Sequence, residues 1–319
     1  GISVNGGVRI GAMRKIGAVV PAAGTLTERM HLFVAEVSED DRDASGGGGN
    51  PHEGEDIEVV EVPHDGGTTD PGRVADAAEG AAAVIFPQPN FFGCLEPAPS
   101  LAAAATGAGA AAVAHVDPTT LGVLEAPGAY GCDMVIGEGQ AAGNAPGYGG
   151  PHYGFLAART EFIRRLPGRI VGQTVDLDGE RGFVLTLQTR EQHIRREKAT
   201  SNITTNQTLL ALGGLVTLSW LGPQGLRELG ETCLSLVGYA RERLPWPAAF
   251  ERPSFKELAL RTPLPAREVI RLAREQGVHP GYALGREYEG MEDVLLVALT
   301  EKRTPADVDR LASVLAAIG

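Results

Sequence analysis

Between residues 58 and 136, short apolar runs alternate with small-residue helical segments, and this alternation limits the possible folds more than any other feature of the chain. It is the succession that βαβ units around a parallel sheet require. Residues 58–63 (EVVEVP) read as a strand. Residues 71–83 read as a helix, with Asp70 able to cap it and Pro71 at its first position. A buried strand over 81–86, a helix over 97–107, a second buried strand over 110–116 and a short strand over 133–136 complete the pattern. Residues 155–158 and 183–188 read as further sheet strands flanking a helix-and-loop excursion. In such sheets ligands sit at the carboxyl ends of the strands, where Asn90, Asp117 and the Gly-rich loop 137–151 fall.

The C-terminal half changes character. Helical patterns over 207–221 and 225–243 are interrupted at Gly222 and Pro223, and then come a strand (257–261), a helix (266–276), a turn (277–285), a strand (293–298) and a last helix (305–317). The N-terminal stretch, up to residue 62, reads as short strands over 8–20, 29–36 and 57–62. The last two are separated by an acidic, glycine-rich loop, too polar to pack and expected to be mobile. The chain begins at Gly1 rather than methionine, which reads as a piece of a longer protein.

Composition narrows the function classes. The 319 residues carry 28 Lys and Arg against 40 Asp and Glu, a net charge of −12, which argues against a nucleic-acid surface. No apolar stretch reaches the length of a membrane span, and no basic-then-apolar leader opens the chain. Cys94, Cys132 and Cys233 are widely spaced with no CxxC pair. They suggest neither metal nor disulfide but buried thiols in a reducing, cytoplasmic setting.

The densest polar stretch is 181–207. An apolar run hands over to Arg190, Glu191, His193, Arg195, Arg196, Glu197 and Lys198, then to Ser201, Asn202 and other groups that cap helices and bind anions. His193 with the arginines fits carboxylate or cofactor contact at a subunit interface, or equally an ion-pair network with Glu191 and Glu197. Asn90 beside Phe91 and Phe92 reads as a turn stabiliser or a cleft residue. Asp117 reads as a vestigial cofactor aspartate or as a cap within VDPTT.

The order Asp117, short strand, Gly-rich loop resembles the way aminotransferase-fold enzymes hold pyridoxal phosphate, with an aspartate pairing the pyridinium nitrogen. Where a lysine should form the Schiff base stands Gln140, whose amide cannot form an imine. With PNFFGCLE, the GEGQ loop, GYGGPHYGFLA, RLPGRIVGQTVD and RGFVLTLQTREQHIRREKATSN, the chain from Ile57 onward resembles subunit 1, the amino-terminal half, of the glycine cleavage system P-protein.

That resemblance implies an α/β pyridoxal-phosphate-dependent transferase fold (aminotransferase fold type I), with an incomplete large domain over 57–222 and a small α+β C-terminal domain over 223–319. It implies a non-lysine subunit of glycine decarboxylase in an α2β2 complex with a lysine-bearing second subunit that holds the pyridoxal phosphate covalently. The complete enzyme decarboxylates glycine and passes the aminomethyl group to the lipoyl arm of the H-protein. No catalytic residue is expected in this chain. Asn90, Arg190, His193, Arg195, Arg196, Lys198 and Asn202 are interface or shared-cleft candidates. Two departures stand out: Thr204 replaces a usual cysteine, and Lys256-Glu257 replaces a more usual Asn-Glu pair. Residues 1–56 instead resemble the part of a Nudix pyrophosphatase that follows its catalytic helix, without the magnesium-binding signature. The chain therefore also reads as a chimeric or truncated non-catalytic remnant, or as a Nudix-type hydrolase.

Overall fold

The structure, a computed structural model, describes residues 60–147, 152–166, 170–186 and 207–319, together with the backbone of four short strands before residue 36. Contacts divide the chain into Gly1–Glu61 and Val62–Gly319. In the first unit, β1 (Ser3–Val4) pairs antiparallel with β2 (Val8–Arg9), and β3 (Met13–Val19) with β4 (Met30–Ala35), the latter ladder slipping between Lys15 and Gly17.

The second unit opens differently from expectation. Residues 60–63 form no strand, and Val60 is exposed. Pro63 lacks the N–H a ladder needs, and pairing begins only in the small hairpin of β5 (His64–Asp65) and β6 (Thr68–Thr69). The helix Pro71–Ala77 then starts as expected, Asp70 Oδ1 accepting from Arg73 N at 2.9 Å. It stops earlier than expected, and Gly80 turns the chain at a φ of 77°.

The βαβ reading is realised in a four-stranded sheet of order β10-β9-β8-β7. Strands β7 (Ala83–Gln88), β8 (Ala111–Val116) and β9 (Met134–Glu138) are parallel, and β10 (Gly154–Ala158) is antiparallel. The helix Ala98–Gly107 covers one face, where Leu101, Ala105, Phe86, Ala112, Ala114 and Val116 form one core. On the other face the two outer strands are open, Ile85 on β7 being 64% exposed and Leu156 on β10 also exposed, while Val113 on β8 between them is buried. Residues 81–86 are therefore not a buried strand but an edge strand buried on one side, an unusual state for a parallel sheet, which normally needs cover on both faces.

The second correction concerns 183–188. Strand β12 (Arg181–Thr186) does not join the main sheet but pairs antiparallel with β11 (Ile170–Val175) alone. Their turn is set by Asp176, whose Oδ1 accepts from the N–H groups of Asp178 and Glu180, both at 2.9 Å, with Gly179 at a φ of 84°.

The long helix Thr208–Arg243 breaks at Gly222 (φ 63°, ψ −175°), one residue before Pro223. Its second half packs Leu236, Val237 and Ala240 onto a three-stranded antiparallel sheet, β13 (Glu257–Arg261), β15 (Val294–Ala298) and β14 (Tyr282–Ala283) in the order β13-β15-β14. The helices Ala266–Glu275 and Pro305–Ala316 complete that core through Val269, Val308, Leu311 and Leu315. The last helix begins in a capping box between Thr304 and Asp307.

Candidate functional site

Three segments at the carboxyl ends of β7, β8 and β9 carry the polar groups. After β7, Asn90 closes the loop 90–96 completely. Its Oδ1 accepts from Phe92 N (3.0 Å) and Cys94 N (3.1 Å), while its Nδ2 donates to Gly67 O (2.7 Å) and Glu96 Oε1 (2.8 Å). An amide with every donor and acceptor engaged stabilises a turn. Glu96, which carries no local sequence signal, is buried and also accepts from Thr69 N at 2.8 Å. The same loop docks on the C-terminal part, with Phe255 N donating to Gly93 O and Leu95 N to Pro253 O, both at 2.9 Å.

That docking brings residue 256 to the end of β8. Lys256 is 6% exposed, has a φ of 63°, and points its Nζ to within 2.7 Å of Asp117 Oδ2. Asp117 Oδ1 meanwhile accepts from Thr119 N (2.8 Å) and Thr119 Oγ1 (2.7 Å), capping the 3-10 turn Pro118–Gly122. Both carboxylate oxygens are thus committed. Next to Lys256, burial pushes the Glu257 carboxyl up to about 7, the Lys256 ammonium opposing and the Asp117 carboxylate adding to the shift.

After β9, Gln140 Nε2 donates to Asn144 O at 2.6 Å and its backbone N–H to Glu138 Oε1 at 3.0 Å. The glycines of this loop make room for packing. A Cβ on Gly139 or on Gly214 of the long helix would strike the Tyr153 ring, and one on Gly143 would strike Thr217. The loop is thereby pressed against the first half of the long helix, and Asn144 Nδ2 donates to Leu210 O at 3.3 Å.

Asn90, Asp117 and Gln140 therefore all stand at strand ends, yet each is tied to its own neighbours. Arg190, His193, Arg195, Arg196, Lys198 and Asn202 lie outside the described residues. Gln140 is an amide and cannot form an imine, and the Asp117 carboxylate is paired with Lys256. Among the described residues, no cluster of His, Cys, Asp and Glu could hold a metal. Cys94, Cys132 and Cys233 are free and buried, and burial pushes the Cys94 and Cys132 thiols each up to about 11.

Comparison with known proteins places this geometry. The family profile described as Glycine cleavage system P-protein matches residues 51–315. The chain is 48% identical over 241 residues to a glycine dehydrogenase (decarboxylating) subunit 1 of Chlorobium limicola, covering 74% of this chain and 54% of that one. It is 45% identical over 270 residues to that of Moorella thermoacetica, covering 83% and 61%. It thus spans little more than half the length of these relatives. A solved glycine decarboxylase (P-protein) of the glycine cleavage system, in inhibitor-bound form, is 43% identical with a TM-score of 0.75 over 82% of this chain and 60% of its own. An aspartate aminotransferase from Thermus thermophilus shares the fold alone, at 20% identity and a TM-score of 0.55 over 79% of this chain and 69% of its own. The resemblance of residues 1–56 to a Nudix pyrophosphatase finds no support in these matches, and the family match begins a few residues before Ile57. With a profile match over most of its length, strong identity to subunit 1 proteins and the aminotransferase fold, this chain belongs to the glycine cleavage system P-protein family.

Proposed function

We propose that this chain is the non-lysine subunit of a two-subunit glycine decarboxylase. Together with a lysine-bearing partner and the lipoylated H-protein, it would convert glycine to CO2 and an aminomethyl group carried on the H-protein. The observation that carries this reading is the state of Gln140 and Asp117. At the two positions where a fold of this type anchors its cofactor, this chain offers a tethered amide and a carboxylate already neutralised by Lys256. Pyridoxal phosphate, held covalently by the partner, supplies the electron sink for decarboxylation. This chain contributes shape and support.

Its bare surfaces support a partner. The uncovered face around Ile85 is one. Another is the stripe of Leu209, Leu212, Val216 and Trp220, set three and four residues apart on the first half of the long helix, with Trp220 85% exposed. The long helix has the length and apolar character of a membrane span. Its apolar half, however, ends at the Gly222 break after about 21 Å at ~1.5 Å per residue, short of the ~30 Å of a hydrocarbon core. A protein partner is therefore the better occupant. A cytoplasmic location belongs to the same proposal and rests on the three free, buried thiols.

The test is borohydride reduction in the presence of pyridoxal phosphate, followed by mass mapping of this chain and of a co-expressed lysine-bearing subunit. The adduct is expected on the partner only. A stoichiometric adduct on any lysine of this chain would overturn the assignment. The same bare surfaces also favour a second reading, a non-catalytic remnant unable to assemble. Co-purification with the partner and glycine-dependent CO2 release from the mixture would exclude it.

A further inference from the structure

In the C-terminal part, the helix Ala266–Glu275, strand β14 and the 3-10 turn Leu284–Arg286 border an open pocket of about 380 Å3. Arg267 and Arg274 line it from the helix. They lie seven residues apart and so share one face, with Ile270 between them, while Arg286 enters from the 3-10 turn. Arg271, on the same helix, has a different environment: its guanidinium is clamped by Glu268 Oε1 at 2.7 Å and Glu275 Oε1 at 2.5 Å. None of the three pocket arginines has a carboxylate within ion-pair distance among the described residues. Arg274 Nη2 donates instead to His279 Nε2 at 2.6 Å, and the Arg286 guanidinium lies 5.3 Å from the centre of the Tyr282 ring. The Tyr282 hydroxyl is held by Glu287 Oε1 at 2.7 Å, which orients the ring at the pocket wall.

In a chain where 40 acidic residues outnumber 28 basic ones, three guanidinium groups lining one cavity with no carboxylate at ion-pair distance among the described residues run against the composition. Gathering like charges around one cavity carries a repulsive cost, modest for exposed side chains, that a bound anion would offset. We infer that this pocket binds a phosphate monoester, its phosphoryl oxygens held by the arginine forks and its organic part lying against Ile270 and Tyr282. Guanidinium groups match phosphate oxygens two at a time. A doubly charged, three-oxygen phosphoryl group can engage several of them where a single carboxylate cannot. The apolar wall gives an attached group something to bury, and the volume is that of a small-ligand site. This inference does not depend on the glycine decarboxylase reading.

Isothermal titration of the full chain with phenyl phosphate, inorganic phosphate and benzoate tests it. Saturable one-to-one binding of phenyl phosphate is expected, tighter than either comparison ligand and weakening as salt rises. Arg267→Gln and Arg286→Gln should each weaken binding about tenfold. Arg286→Lys, which keeps the charge and loses the fork, should fall in between, and Arg271→Gln should change nothing. Each variant should keep the wild-type Tm, since these side chains are exposed. Absence of saturable phenyl phosphate binding, or binding untouched in Arg267→Gln and Arg286→Gln, overturns the site. Equal affinity for inorganic phosphate or benzoate overturns the monoester assignment.

Discussion

Lys256 Nζ lies 2.7 Å from Asp117 Oδ2 across 139 residues of sequence, joining the end of a parallel strand to the start of the C-terminal sheet. The lysine holds a left-handed backbone that asparagine adopts more readily.

Breaking that pair from one side strands a buried charge. Asp117→Asn keeps an acceptor for Thr119 but leaves the ammonium unpaired, and should cost about 3 kcal/mol. Lys256→Asn should regain about 1 kcal/mol of backbone strain while losing the pair. Urea unfolding of both single variants and the double variant should give a loss for the double well below the sum. Additive losses would show that the pair contributes nothing.

Glu257 should make the fold weaker as pH rises. Its folded pKa, about 7, lies above its ordinary value of 4.5, so the folded state prefers the neutral carboxyl. That stability is fully present below about pH 4.5 and is lost as pH rises to about 7. At most about 3 kcal/mol is involved, at 1.36 kcal/mol per unit. Glu257→Gln should flatten this part of the profile, so the difference in urea midpoint between variant and wild type should grow from pH 5 to pH 8. A constant difference would refute the assignment.

Gly214 sits inside a helix, where alanine would ordinarily stabilise by about 1 kcal/mol. Here a Cβ would meet the Tyr153 hydroxyl, so Gly214→Ala should instead destabilise by about 2 kcal/mol. Removing that hydroxyl with Tyr153→Phe should recover part of the loss, as thermal unfolding would register. A stabilised Gly214→Ala variant would mean the loop does not press on the helix as described.

The three cysteines should resist a thiol reagent such as dithionitrobenzoate at pH 8 in the native state, being buried, with the Cys94 and Cys132 thiols pushed up to about 11. All three should react on unfolding in guanidinium. Fast labelling of any one in the folded chain would contradict its burial.

What the sequence determined by itself were the features whose causes lie within a few residues. The Asp70 cap, the break at Gly222-Pro223, the parallel succession of strands and the absence of a lysine at position 140 are all legible locally. The β11–β12 hairpin also has a local signal, Asp178-Gly179 within the turn 176–180 between two apolar runs. Only the tertiary structure decided the rest. That β7 is an edge strand with one bare face depends on what else the chain supplies to cover it. The glycines at 139 and 214 are explained by one tyrosine that reaches both. Nothing near Asp117 in sequence announces Lys256, because a buried ion pair is made by the folding of distant segments onto one another, and the desolvation that makes it strong exists only once they have met.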